Sequence, residues 1–112
     1  MNQKLAHIAL LVNDYDEAIN FYVDKLNFKL IEDTKLSEDK RWVLIKPKEQ
    51  QDCSLLLAKA ANNEQQSRIG NQTGGRVFLF LHTDDFERDY NNLLNQNIEI
   101  IREPKEETYG KV

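Results

Sequence analysis

Hydrophobic residues run almost unbroken from Leu5 to Val12, interrupted only by His7, and a polar Asn13-Asp14 step closes the run. Eight mostly apolar residues bounded by a polar turn predict a strand buried on both faces. Asn13 or Asp14 can cap the helix that follows, with Asp16 and Glu17 in its positive first turn. Ala18, Ile19, Tyr22, Val23 and Leu26 then recur at helical spacing, so one helix face packs back on the sheet. Asn27 supplies the stop. Three further strands are expected: Phe28–Thr34 (FKLIEDT), Arg41–Lys46 (RWVLIK, ended by Pro47) and Cys53–Lys59 (CSLLLAK).

The pattern lapses between Ala60 and Gly75, where AANNEQQSRIGNQTGG is polar and glycine-rich and predicts a linker with one helical turn near Asn63–Ser67. It then restarts. Arg76–His82 (RVFLFLH) predicts an apolar strand, Thr83-Asp84 a cap, and Phe86, Tyr90, Leu93 and Leu94 a helical stripe. Ile98–Arg102 (IEIIR) predicts another strand after a break at Asn97. Asp84 stands where Asp14 stands, an offset of 70 residues, and that offset also aligns Leu11 with Leu81, Glu17 with Glu87, Asn27 with Asn97 and Ile31 with Ile101. Strand, cap, helix, break and strand fall in register. The expectation is one domain over residues 1–112: module one at 1–60, a linker at 61–75 and a partial second module at 76–112. By analogy with the first module, the second lacks about two strands, on the order of 15 residues. An open last sheet edge would favour pairing with another chain.

Composition narrows the class. A chain of 112 residues is one compact domain, large enough to form a core without disulfides. The single cysteine, Cys53, cannot form an intramolecular bridge and suits a reducing compartment. No signal peptide is recognisable and no apolar run approaches about 18 residues, so a cytoplasmic protein without a membrane span is expected. The net charge is −4, with acidic and basic residues interspersed. Without a basic stripe, nucleic acid is not an expected partner.

Few residues carry candidate chemistry. His7 is the only ionisable group on the first strand. His82 ends the strand expected at Arg76–His82, where alternation sets it with Phe78 and Phe80 on the face opposite Val77, Leu79 and Leu81. It is read as structural, bonding the Asp84-Asp85 turn. Cys53 has no base near it in sequence and is read as packing. Asn71–Gly75 (NQTGG) lacks the lysine and spacing of a phosphate loop.

The runs AHIALLVNDYDEAINFYVDKLNFKLIED, GGRVFLFLHTDDFERDYNNLL and IREPKEETYG together resemble the vicinal oxygen chelate superfamily of glyoxalases, bleomycin-resistance proteins, fosfomycin-resistance enzymes and extradiol dioxygenases. The resemblance covers essentially the whole chain. It implies an α+β fold in which paired βαβββ modules curl a mixed sheet into a cup, with the second module incomplete here. It also implies a small-molecule ligand and a homodimer. Enzymes of the superfamily hold a divalent metal (Zn, Ni, Fe or Mn) through the first and last strands of each module. His7 matches the first such position. The second would fall within Cys53–Lys59, which offers no carboxylate or histidine, and the third near Val77 or Arg76. One ligand does not make a site that needs about three. Two functions therefore stand open: a metal-dependent lyase or dioxygenase with His7 as metal ligand, and a metal-free, drug-type binding protein. For the second, one of Arg41 and Trp42 should face the cup and could hold a planar or anionic ligand, with Tyr109, Glu32 and Arg102 as rim candidates.

Overall fold

A computed structural model describes residues 1–112. Its chain order is β1 (His7–Val12), α1 (Tyr15–Ile19) running into a π-helical turn (Asn20–Lys25), β2 (Lys29–Lys35), β3 (Arg41–Lys46), β4 (Ser54–Lys59), α2 (Asn63–Ser67), α3 (Phe86–Asn95), and a short hairpin of β5 (Glu106–Glu107) and β6 (Gly110–Lys111). Two compact units result, Met1–Leu79 and Phe80–Val112.

The first unit is a βαβββ module. Its sheet order is β1-β4-β3-β2, with β1 parallel to β4 and the other pairs antiparallel. Asp14 caps α1, its carboxylate accepting from the Glu17 N–H at 2.9 Å. The helix widens at its end, where the Leu26 N–H reaches the Phe21 carbonyl at 3.0 Å. Asn27 then takes a left-handed φ of 63° and turns the chain into β2.

Alternation along the strands divides the sheet into two faces. Val43, Ile45, Leu55, Leu57 and Val12 form the core on one face, together with Tyr15, Ala18 and Phe28. Ile19, Tyr22, Val23 and Leu26 close over it, the helical stripe read from the sequence. Val43 and Ile45 are fully buried, and each such side chain contributes about 1.5–3 kcal/mol of transfer free energy. The other face carries His7, Ala9, Trp42, Leu44, Ser54 and Leu56, of which Leu44 and Ser54 are buried.

The second unit is a helix and a hairpin. Asp85 caps α3 by accepting from the Arg88 N–H at 3.0 Å. The Phe86 and Tyr90 rings stack at 6.2 Å, and Lys111 sits 5.7 Å from the Phe86 centroid. No residue of this unit is among the buried apolar core.

Two expected strands do not form. Arg76–His82 and Ile98–Arg102 enter no ladder, and several of their apolar side chains stay exposed, Phe80 at 78% and Ile101 at 89%, while Phe78, Ile98 and Ile100 are half-buried. A strand exists only through a partner's N–H and C=O groups, and neither segment meets one. The fold is α+β with a mixed sheet and an incomplete second module. No helix is long and apolar enough to cross a membrane.

Candidate functional site

The sheet face opposite the core cluster brings three residues of the first unit together. In the parallel ladder His7 stands directly beside Ser54. The His7 Nδ1 lies 2.7 Å from the Ser54 Oγ, a hydrogen bond whose direction depends on the imidazole tautomer. Ser54 is 6% exposed and its N–H donates to the Ala6 carbonyl at 3.1 Å, so a buried, backbone-anchored hydroxyl holds an exposed ring. With Nδ1 engaged by Ser54, Nε2 is the ring nitrogen left for a further partner. When the hydroxyl donates to Nδ1, Nε2 carries the proton and is itself a donor.

Trp42 completes the group. Its ring meets the imidazole edge-on, with centroids 5.8 Å apart and planes at 82°. The ladder pairs Val43 with Leu57 and Ile45 with Leu55, so Trp42 is not beside Ser54 in register. Its contact with His7 crosses the sheet diagonally, on the face that also carries the paired Leu44 and Leu56. An aromatic plane, an imidazole nitrogen and an apolar floor can hold a flat molecule with one polar edge.

Arg41 takes the other face. Its guanidinium forks onto Asp33, with Nε to Oδ1 at 3.0 Å and Nη2 to Oδ2 at 2.6 Å, and its Nη1 reaches Asp16 at 2.9 Å. It also lies 5.2 Å from the centroid of the buried Tyr15 ring. The Arg41 hydrogen bonds and charge hold the Asp33 carboxyl below its ordinary pKa despite partial desolvation. Arg41 thus ties β3 to β2 and α1, and of the adjacent pair only Trp42 shares the face of His7.

The remaining candidates do not join this group. Glu32 accepts a hydrogen bond from the Thr34 hydroxyl at 3.0 Å on the exposed edge strand β2. Tyr109 sits at the tip of the β5–β6 hairpin, 77% exposed, and Arg102 is an exposed residue of the same second unit. His82 is exposed, and the turn after it is bonded by Thr83, whose hydroxyl accepts from the Asp85 N–H at 3.1 Å. Cys53 contacts the Ser54 carbonyl at 3.9 Å and has no base beside it.

The donors fit a metal poorly. No group of three or more His, Cys, Asp or Glu side chains stands close enough to hold an ion. The neighbour of His7 is a neutral serine hydroxyl, and a catalytic centre needs about three protein ligands. Ser54 and its role escape sequence reasoning because nothing in CSLLLAK marks which residue the parallel register sets beside His7.

The profile of the Glyoxalase/Bleomycin resistance protein/Dioxygenase superfamily matches residues 4–112. An uncharacterized protein of Shewanella frigidimarina is 59% identical over 113 residues, which span 100% of this chain and 84% of that one. The crystal structure of UcmS2 superposes with a TM-score of 0.81 at 24% identity, covering 99% of this chain and 87% of that chain, a likeness of fold. TnmS3, an antibiotic binding protein from Streptomyces sp. CB03234, superposes with a TM-score of 0.64 at 26% identity over 85% of this chain and 71% of its own. With its profile spanning nearly every residue, the chain belongs to the glyoxalase/bleomycin resistance protein/dioxygenase superfamily.

Proposed function

We propose that this protein is a small-molecule binding protein that takes a planar, drug-type ligand beside His7 and Trp42 without a metal. The observation that carries this reading is the convergence of Trp42 and a Ser54-anchored His7 over an apolar floor. The ligand stacks on the indole and places a hydrogen-bonding edge at His7 Nε2. The antibiotic-binding role of TnmS3, a neighbour in fold, supports the same reading. Arg41 has no part in it, because its fork is committed to Asp33 and Asp16. A homodimer belongs to the same proposal.

Trp42 is the only tryptophan, so its fluorescence reports the site directly. Anthraquinone-2-sulfonate serves as a planar probe, with metal-free bleomycin beside it. Saturable quenching by either, weakened about tenfold in His7→Ala, is the expected result, a factor appropriate to one lost hydrogen bond. Linear, non-saturating quenching in both proteins overturns the proposal.

One observation favours a second reading, a metal-dependent lyase or dioxygenase. A histidine held at Nδ1 by a neighbouring side chain is the arrangement of a supported metal ligand. Near-stoichiometric divalent metal in purified protein, lost in His7→Ala, would establish it in place of the first.

A further inference from the structure

A serine hydroxyl has one proton to place and two lone pairs to offer. Ser54 is 6% exposed, and the His7 Nδ1 at 2.7 Å is the only hydrogen-bond partner of its Oγ. Two arrangements satisfy that short contact. If the imidazole donates from Nδ1, the serine proton is left buried without an acceptor. If the hydroxyl donates to Nδ1, only lone pairs go unused, and folded proteins tolerate an idle acceptor more often than an orphaned donor. The second arrangement therefore prevails. It fixes the neutral ring with its proton at Nε2.

We propose that Ser54 is a positioning residue that sets the His7 tautomer, so that the site selects planar ligands presenting an acceptor oxygen, a quinone or aromatic ketone carbonyl, to Nε2. This rests on the small-molecule reading above and names its ligand class. His7 is exposed, and its one other contact is the edge-on meeting with Trp42. A conjugated carbonyl keeps its oxygen in the plane of its ring system. One flat molecule can then meet the indole with its face and the imidazole N–H with its edge. Arg41, the sequence neighbour of Trp42, is committed to Asp33 and Asp16, so the imidazole supplies the polar contact. The same tautomer works against a cation. An imidazole that ligates a metal through Nε2 donates from Nδ1, as a rule to a carboxylate, a backbone carbonyl or a water. Ser54 is none of these, and accepting that proton would strand its own.

Nitrogen NMR of the imidazoles and calorimetry with a matched pair of probes test this in the wild type, Ser54→Ala, Ser54→Thr and His7→Ala. The chain has two histidines, and His7→Ala assigns the His7 ring. Two-bond proton–nitrogen correlations at pH 8 are expected to show the Nε2–H form of His7 in the wild type and a mixture of forms in Ser54→Ala. Ser54→Thr keeps the hydroxyl and should restore the Nε2–H form. An Nδ1–H ring in the wild type overturns the proposal, and that spectrum depends on no variant folding. A ring that stays wholly Nε2–H in Ser54→Ala overturns the role of Ser54. Anthraquinone-2-sulfonate and anthracene-2-sulfonate share a ring frame and differ in the carbonyl oxygens. The ratio of their affinities is expected to be about tenfold higher in the wild type than in His7→Ala, and to fall about threefold in Ser54→Ala. A ratio that is the same in every variant, with both probes bound, overturns the acceptor preference and leaves the planar-ligand reading standing. Binding of neither probe to the wild type overturns both.

Discussion

The two units begin from nearly the same pattern and end differently. HIALLV, a capping aspartate and an amphipathic helix open the first; RVFLFLH, Asp84-Asp85 and the α3 stripe reach into the second. Local devices survive in both. Asp14 and Asp85 each cap a helix through their carboxylates, and Asn27 and Asn97 each end one at φ 63° and 58°. The difference is in what is paired. β1 lies in a ladder with β4 and its inner residues join a shared core, whereas RVFLFLH has no ladder and the second unit buries no apolar side chain fully. Caps need only neighbours in sequence, but strands and cores need neighbours in space.

The largest expected effect exposes that asymmetry. Ile45→Ala, at a fully buried position of β3, should cost about 2–5 kcal/mol in chemical denaturation. Leu81→Ala, 59% exposed, should change stability by no more than about 0.5 kcal/mol in the isolated chain. Comparable losses at the two sites would mean that the second unit has a core of its own.

A smaller effect is expected at Arg41. Replacing it with alanine removes a bidentate ion pair, a second carboxylate contact and packing on Tyr15, and should cost about 1–2 kcal/mol. The pH dependence follows in sign. The folded state depresses the Asp33 pKa, so Asp33 contributes stability that is present above its unfolded pKa of about 3.9 and is lost as pH falls through the lower folded value. Arg41→Ala should flatten that part of the acid denaturation curve, and an unchanged curve would show that the clip contributes nothing. Asp89 in the second unit is depressed in the same direction, by Arg88 and Thr83, so carboxyl titration by NMR should find both Asp33 and Asp89 below the ordinary aspartate value.

The smallest effect tests what the units share. Asn27→Ala and Asn97→Ala each force a side chain with a β-carbon and no local hydrogen bond into the left-handed region, at about 1 kcal/mol. Similar losses of helix stability at the two sites, read by amide exchange in α1 and α3, would confirm that the caps are independent of the surrounding packing.

Much of the first unit was legible. Its strand, cap, helix and three following strands sit within two residues of their expected places, because hydrophobic period and capping chemistry are local properties written into Leu5–Lys59. The α2 turn at Asn63–Ser67 was legible for the same reason. The candidate site was half legible. His7 stood out as the lone ionisable group on an apolar strand, and Trp42 as one of a pair of which one should face the cup. Which one faces it depends on strand alternation relative to the core, and Arg41 was settled by Asp33 and Asp16, residues on two other elements.

By itself the sequence determined the family, the order of local elements and the helix ends, since these follow from residue types and spacings a few positions apart. The tertiary structure alone decided that Ser54 stands beside His7, that Gln72 completes the β1 edge, and that RVFLFLH remains without a ladder. Each of those depends on hydrogen bonds between groups far apart in the chain, and a linear pattern records which groups seek partners but not which ones meet.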